Sequence, residues 1–395
     1  MEPVRTITLF EHQKRAYTEL GWGLDHPALE AIEELNSGTS ADLVKLEHKH
    51  LKATQFVGVI RLGEITLQIL PKIDYDPRGD PGAALESHPH QSAVQSATRN
   101  LLHLLSYTQD IEIREQDVAS LLARHSDWFE ILTRLFAANL HREMKRGVER
   151  AYVKKEEALR VIKGRWQLER QLTQHPHVKH IFDVAYDEFS PDTPLNRVFR
   201  FVVERLLLRT RDRQNQRLLR DLHQWLSEVE RISRVSQAHL EAIHFTRLNE
   251  RFRPAFNLAR LFIENRAFQL SAGLQRTFAF VFDMNRLFEE FVYRFIECHR
   301  RRVLPSGWRG LRITYKMCGH TVYLAEKLPD RQQVFRLIPD ILFSRRSGQP
   351  ILVADAKYKQ LDKGSRQRGV SERDVYQMLA YTTRLDCSNT VLLYP

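Results

Sequence analysis

Two aspartates and one lysine near the C-terminus have the residue types and the spacing that metal-assisted cleavage of a phosphodiester needs. The segment Arg-Leu-Ile-Pro-Asp340-Ile-Leu-Phe is followed, after a loop at residues 344–350, by Ile-Leu-Val-Ala-Asp355-Ala-Lys357-Tyr-Lys. Each segment is an apolar run of strand length, so we predict two neighbouring strands around the loop. The two carboxylates and the ammonium group then lie on adjacent strands.

The register of this hairpin predicts that the three side chains share one face. A hairpin symmetric about its loop sets Phe343 opposite Leu352 and Asp340 opposite Asp355. Directly opposed residues of an antiparallel pair have Cβ atoms about 5 Å apart. Lys357 lies two positions after Asp355 and therefore points to the same side of its strand.

Such an arrangement predicts a site for a divalent cation. Two carboxylates opposed on apolar strands repel one another unless a positive charge compensates them. Carboxylate oxygens without a neighbouring His or Cys favour Mg²⁺, or Mn²⁺, over Zn²⁺. Lys357 could orient the attacking water or stabilise the charge of the transition state. The alternative is that Asp340 ends a strand and that Asp355 and Lys357 form an ordinary surface pair.

Two predicted helices carry further polar candidates. On the amphipathic helix 281–300, Glu289 lies at the margin of the apolar stripe and could reach the sheet as a third metal ligand. The alternative is a boundary glutamate paired with an arginine or lysine. On the helix 374–385, Gln377 and Tyr381 are one turn apart and could line a cleft that contacts phosphate or base. Plain exposure to solvent is the alternative for that pair.

Composition favours a polyanionic partner and excludes several other classes. The 60 Lys and Arg exceed the 49 Asp and Glu, for a net charge of +11, which favours nucleic acid without establishing it. No stretch approaches the roughly 18 consecutive apolar residues of a membrane span, and no export signal is evident. Three cysteines without a CxxC pair argue against zinc and for a reducing cytoplasm.

The elements that must position these residues predict an α+β multidomain chain. We predict a mixed α/β domain at residues 1–96 and a helical domain at residues 97–276. Residues 277–395 are predicted to form an α/β domain with a mixed central sheet, because apolar runs of strand length alternate there with amphipathic helices.

Within the first of these ranges, strands 55–63 and 64–72 are predicted to form a hairpin that turns near Gly63. Apolar residues alternate with Thr66 and Gln68 in the second strand, which is typical of a half-buried sheet. Residues 74–96 are rich in Pro, Gly, His and Ser and are predicted to be a loop or linker.

Together the motifs resemble those of the PD-(D/E)xK nuclease superfamily. More closely they resemble McrC, the nuclease subunit of the McrBC modification-dependent restriction system, over nearly the whole chain. Besides Asp340 and Asp355-Ala-Lys357, the similar stretches are Val57-Gly-Val-Ile with Ile69-Leu-Pro-Lys72-Ile, Tyr186-Asp-Glu-Phe-Ser-Pro-Asp192-Thr-Pro-Leu-Asn196-Arg, Phe282-Asp-Met-Asn285-Arg-Leu-Phe-Glu289-Glu-Phe, and Asp374-Val-Tyr-Gln377-Met-Leu-Ala-Tyr381.

The resemblance implies a two-subunit machine. A McrB-like AAA+ GTPase recognises methylcytosine-containing double-stranded DNA and binds the GTP. The McrC-like subunit docks on it through the 1–96 domain, stimulates hydrolysis and cuts the DNA with Mg²⁺. This chain has no G-x-x-x-x-G-K-[ST] loop, in keeping with GTP bound only by the partner.

By position, Asp340 and Asp355 match the metal carboxylates of the family and Lys357 its catalytic lysine. Glu289 matches the helix acid, and Gln377 and Tyr381 match a supporting motif that faces DNA. The family pattern also leads us to expect further residues after the final strand. Two other functions stay open: a non-catalytic adaptor that activates an AAA+ partner, and a stand-alone nuclease acting on RNA or on transposon ends.

Overall fold

Helices and strands are interspersed along the chain, which confirms the predicted α+β class. The computed structural model describes residues 5–39, 41–72, 89–109, 111, 127–174, 180–264, 277–316, 322–361 and 366–395. In chain order the strands are β1 (Arg5–Phe10), β2 (Lys14–Ala16), β3 (Val44–Glu47), β4 (His50–Ala53), β5 (Phe56–Leu62), β6 (Ile65–Leu70), β7 (Ala151–Leu159), β8 (Arg165–Trp166), β9 (Phe182–Ser190), β10 (Thr277–Asp283), β11 (Arg312–Tyr315), β12 (Val322–Lys327), β13 (Gln332–Leu337), β14 (Ile341–Ser344), β15 (Pro350–Ala356) and β16 (Thr390–Leu393).

The helices differ widely in length, from a single turn to five turns. Short 3₁₀ turns occur at Glu250–Phe252 and Ser306–Trp308. None of the described helices combines the length and the apolar character that crossing a bilayer requires. In chain order the helices are α1 (Pro27–Ser37), α2 (Pro89–Thr108), α3 (Trp128–Lys145), α4 (Leu168–Gln174), α5 (Pro194–Leu207), α6 (Arg213–Trp225), α7 (Gln237–Glu241), α8 (Arg253–Glu264), α9 (Met284–Cys298), α10 (Arg300–Val303) and α11 (Glu372–Leu385).

The chain forms two compact units. One combines Met1–Ala123 with Leu270–Pro395, and the other is Arg124–Gln269. The first and last thirds share a unit because β10, at the start of the last third, pairs antiparallel with β5. The division into three domains with separate roles, at residues 1–96, 97–276 and 277–395, stays a prediction.

The first sheet of the N- and C-terminal unit has the strand order β1-β6-β5-β10. The β5–β6 hairpin lies where it was predicted, and its turn uses Gly63 at φ +61°. The prediction of a half-buried sheet was wrong, because Thr66 and Gln68 are 2% and 1% exposed. Helix α2 packs against β6, so Thr66 and Gln68, which alternate with the apolar residues of that strand, are buried as well.

Two helices of this unit begin at other residues than predicted. Helix α2 begins at Pro89, so the second part of the predicted loop 74–96 is helical, and residues 73–88 lie outside the described residues. Helix α9 begins at Met284 and not at residue 281. Asp283 ends β10 and caps α9, since its Oδ1 accepts a hydrogen bond from the backbone N–H of Asn285 at 2.9 Å.

The unit Arg124–Gln269 is not purely helical, which corrects the prediction for residues 97–276. Helices α3, α5, α6 and α8 pack together, but β7, β9 and β8 form an antiparallel sheet. Strand β7 carries four consecutive charged residues at 154–157 and has no fully buried position. Its sequence therefore lacked the apolar alternation from which a strand is recognised.

The second sheet of the N- and C-terminal unit holds the candidate site and has the order β11-β14-β15-β16. Strands β11, β14 and β15 are antiparallel neighbours, while β15 and β16 are parallel, so the predicted mixed sheet is present. Alternate residues of β14 and β15 pack on opposite faces. Ile341, Phe343, Leu352 and Ala354 join Ile296 of α9, and Leu342 and Val353 join Met378, Tyr381 and Leu385 of α11.

Candidate active site

The predicted register of the β14–β15 hairpin is confirmed. Phe343 pairs with Leu352 and Ile341 with Ala354, and the register shifts only at Ser344, next to the loop. Asp340 stands in a bend immediately before β14, which corrects the prediction that it lies on the strand itself. Its Oδ2 accepts a hydrogen bond from the backbone N–H of Ala356 at 2.9 Å, so the bend is tied to the end of β15.

Asp340, Asp355 and Lys357 come together on one face at this end of the sheet. Val353 faces α11, and the alternation of a strand directs Asp355, two positions further on in β15, to the same side. The charges of Asp355 and Lys357 both act on Asp340. Asp340 is 9% exposed and Asp355 is 1% exposed. The ammonium group of Lys357 forms an ion pair with Oδ2 of Asp355. These groups are therefore largely removed from water.

The environment disfavours negative charge on both carboxyls. Burial, together with the charges of Asp355 and Glu289, raises the pKa of Asp340 to about 7. Burial also raises the pKa of Asp355, although the hydrogen bond and charge of Lys357 oppose that change. For Lys357 burial acts to lower the pKa, but the bond to Asp355 outweighs it and the pKa is raised. The site thus holds more negative charge than one lysine balances.

A hydrogen-bonded chain runs from Lys357 into α11. The Nζ of Lys357 donates to Oε1 of Gln377 at 2.9 Å, and Nε2 of Gln377 donates to the hydroxyl of Tyr381 at 2.8 Å. Tyr381 donates in turn to the carbonyl of Ile338 at 3.0 Å. Burial and the charge of Asp355 raise the pKa of Tyr381, so the phenol stays neutral and able to donate. Gln377 and Tyr381 therefore adjoin the site and are not simply exposed to solvent.

Glu289 lies within electrostatic reach of the site but is held by a different partner. Its Oε2 forms an ion pair with Nζ of Lys316 at 2.8 Å, and the backbone N–H of Lys316 donates to the carbonyl of Asp340 at 2.9 Å. This matches the boundary glutamate paired with a lysine. In the described ranges no three His, Cys, Asp or Glu side chains form a ligand cluster. A metal-binding role for Glu289 stays a prediction.

Sequence reasoning missed two lysines that border the site. Lys316, next to Asp340, follows β11 and carried no motif. Lys359 pairs with Asp374 at 2.8 Å, and Asp374 and Ser371 form the capping box at the start of α11. The Ser-x-x-Asp pattern before an apolar helix was a readable signal for that start. It would have located Asp374, whose charge acts on both Asp355 and Lys357.

Comparisons with known proteins identify a matching family and similar structures. The sequence profile of the family described as McrBC 5-methylcytosine restriction system component matches residues 51–395. No curated protein matches significantly. One similar structure is a refined half-complex from a tetradecameric assembly of Thermococcus gammatolerans McrB AAA+ hexamers with bound McrC. It is 27% identical, with a TM-score of 0.64, and the match covers 99% of this chain and 87% of that chain.

A second similar structure is the cryo-EM structure of the Thermococcus gammatolerans McrBC complex. It is 28% identical to this chain, with a TM-score of 0.57. The match covers 74% of this chain and 87% of that chain. Both structures resemble this chain well beyond the four strands of the site sheet.

Proposed function

The chain belongs to the McrBC family of 5-methylcytosine restriction system components, and we propose that it is the subunit of such a system that cuts DNA. The single observation that carries the proposal is the convergence of Asp340, Asp355 and Lys357 on one buried face. An adaptor has no need of two desolvated carboxylates whose ionisation the fold disfavours. We further propose that residues 277–395 have the PD-(D/E)xK nuclease fold.

The donor set fits a hard divalent cation. Asp340 and Asp355 supply carboxylate oxygens without a neighbouring cysteine or histidine, which suits Mg²⁺ and also Mn²⁺. A second positive charge would offset the burial and the repulsion that together raise the pKa of Asp340. When bound there, the cation would supply Lewis acidity at a phosphoryl oxygen.

The residues of the chain itself have separate roles in this proposal. Lys357 stabilises negative charge that develops on the phosphate and orients the attacking water. Gln377 and Tyr381 act as positioning residues, because their hydrogen bonds fix where the ammonium group of Lys357 lies. Burial of Asp355 excludes bulk water and so strengthens each of these electrostatic interactions.

The family and the similar complexes support the proposed partner and substrate. Those complexes contain McrB AAA+ hexamers with bound McrC, and we propose that this chain likewise binds a McrB-like AAA+ GTPase and stimulates it. GTP is then bound by the partner and not by this chain. Double-stranded DNA containing methylcytosine is the proposed substrate, in the cytoplasm, and the net charge of +11 suits a polyanion.

The decisive experiment combines cleavage with GTP hydrolysis. Methylated and unmethylated plasmids are incubated with Mg²⁺, GTP, the neighbouring AAA+ protein and either wild type, Asp355→Ala or Lys357→Ala. We expect both variants to lose at least about a thousandfold in cutting, since each removes transition-state stabilisation of several kcal/mol. Both should still bind the partner and stimulate its GTPase, which separates catalysis from docking.

Other outcomes distinguish the remaining functions. Unchanged cutting by Asp355→Ala would show that the assigned site is wrong. GTPase stimulation by the wild type without any cutting of methylated or unmethylated DNA would identify an adaptor. Cutting without the partner and without GTP, on DNA or on RNA, would identify a stand-alone nuclease.

A further inference from the structure

Seven arginines from three chain segments gather at one end of the site sheet, which we call the arginine end. Six of them are exposed, and Arg300 is half-buried. Among the described residues none of the seven forms an ion pair, whereas Arg197 and Arg231 of the other unit pair with carboxylates. The arginine end consists of Arg300, Arg301, Arg302, Arg309, Arg312, Arg345 and Arg346.

Strand pairing places this cluster at the far end of the sheet from the candidate active site. Strand β14 begins next to Asp340 and ends at Ser344, directly before Arg345 in the hairpin loop. Strand β11 runs antiparallel to β14, so its first residue lies at the end of the sheet that is far from Asp340. Its Arg312 pairs with Ser344, while Lys316, just after its other end, bonds to Asp340.

The segments that carry the arginines are held together by packing. Leu304, Leu311, Phe343 and Leu352 belong to one buried cluster beneath them. Arg309 donates from Nε to the carbonyl of Leu304 at 3.2 Å, and Nη1 of Arg300 donates to the carbonyl of Arg309 at 3.4 Å. The cluster of positive charge is therefore built by the fold.

A cluster of exposed positive charges without carboxylate partners favours a polyanionic ligand. Along the strand, Arg345 lies about 17 Å from Asp340, at roughly 3.3 Å per residue. That length corresponds to about five base pairs, at roughly 3.4 Å per step of a duplex strand. We propose that the arginine end binds the phosphates of duplex DNA that flank the cleavage position. The inference deepens the proposed function and rests on it.

The planar guanidinium group suits this role better than an ammonium group does. Arginine presents several N–H donors in a fixed fork that matches two phosphate oxygens, and it holds its charge at every relevant pH. Such contacts carry no base information, so the arginine end sets position along the duplex and not sequence preference. Recognition of the modified base is left to another surface.

The test measures salt-dependent binding in the absence of cleavage. A fluorescein-labelled duplex is titrated in EDTA over a series of NaCl concentrations with full-length wild type and with Arg345→Ala/Arg346→Ala. Each lost phosphate contact lowers the slope of log Kd against log salt by about 0.9, so we expect a decrease of nearly two. Arg345→Lys/Arg346→Lys should restore most of the slope, because it keeps both charges.

A matched control removes two exposed charges from another sheet of the same unit. Lys45→Ala/Lys49→Ala should leave the slope close to that of wild type. Should the arginine variant fold poorly, Arg301→Ala/Arg302→Ala tests the same surface from a different segment. An unchanged slope in the arginine variants, or a decrease no larger than that of the control, would overturn the inference.

The following outcomes show whether this inference or the proposed function has failed. Asp355→Ala should lose cutting but retain the full salt slope, so each claim can fail without the other. Weaker binding of the AAA+ partner by Arg345→Ala/Arg346→Ala, with a wild-type slope on DNA, would assign the surface to protein docking and overturn the inference. Binding to anionic phospholipid vesicles with a wild-type slope on DNA would overturn it as well.

Discussion

At the scale of single residues, Lys357 is held from two sides. Its ammonium group pairs with Asp355 on its own strand and donates to Gln377 on α11. Gln377 is in turn fixed by Tyr381, whose hydroxyl is anchored to a backbone carbonyl. A flexible side chain is thereby kept in one place, and catalysis is sensitive to such placement.

Gln377→Leu tests this positioning role. The substitution keeps the size of the side chain but removes the acceptor for Lys357, so we expect kcat for DNA cutting to fall about tenfold while KM changes little. A single-turnover series at increasing DNA concentration separates the two quantities. Thr383→Ala, an exposed position on the same helix, is the control, and an equal loss in both variants would contradict the role.

At the scale of elements, Glu11 joins the two sheets of the N- and C-terminal unit. It follows β1, and its Oε2 accepts hydrogen bonds from the hydroxyl of Tyr358 at 2.9 Å and from the backbone N–H of Lys72 at 3.0 Å. Gln360 donates to the carbonyl of Lys72 at 3.1 Å. The chain leaving β15 is thus attached to the ends of β1 and β6.

Burial of Glu11 makes this junction sensitive to pH. Burial raises its pKa from 4.5 to about 7, in spite of the hydrogen bonds from Lys72 and Tyr358. The folded state therefore holds a proton that the unfolded state has already lost between these two values. Stability should fall as pH rises through that window and be lower above it, with an upper bound of about 3 kcal/mol.

Glu11→Gln should remove the pH dependence that Glu11 contributes to stability. The amide cannot ionise, so the melting temperature of the variant, relative to that of wild type, should increase as the pH rises from 5 to 8. Thermal unfolding at several pH values measures the difference, with Glu30→Gln, an exposed residue of α1, as the control. Parallel curves for Glu11→Gln and wild type would show that Glu11 does not carry the effect.

At the scale of the whole molecule, binding of a cation and global stability are linked. A ligand that binds only the folded state raises the free energy of unfolding according to its concentration and affinity. The clustered carboxylates cost stability when they are ionised, because burial and mutual repulsion oppose their charge. Mg²⁺ at this place would offset that cost.

We therefore expect Mg²⁺ at millimolar concentration to raise the melting temperature of the wild type by a few degrees. In Asp340→Asn and Asp355→Asn the Mg²⁺-dependent increase should shrink to near zero, since each variant loses a charged ligand. Differential scanning fluorimetry with Mg²⁺ and with an equal ionic strength of NaCl provides the measurement and its control. The same increase with both salts would argue against a specific site.

The sequence by itself determined the local geometry of the site. The β14–β15 register, the β5–β6 hairpin with its turn at Gly63, and the helix that carries Gln377 and Tyr381 were all predictable. Each depends on residues close together in the chain, where alternation, loop length and capping act directly. The residue types at that register also led to the chemistry proposed for Asp340, Asp355 and Lys357, which stays a prediction.

Only the tertiary structure decided how distant segments meet. The pairing of β10 with β5, the burial of Thr66 and Gln68, and the contacts of Glu289 with Lys316 and of Glu11 with Tyr358 join residues far apart in the chain. Periodicity shows which face of an element is apolar, but not which element covers the other face. That choice is made by packing of the whole unit, and so the surroundings that tune the site became visible only in three dimensions.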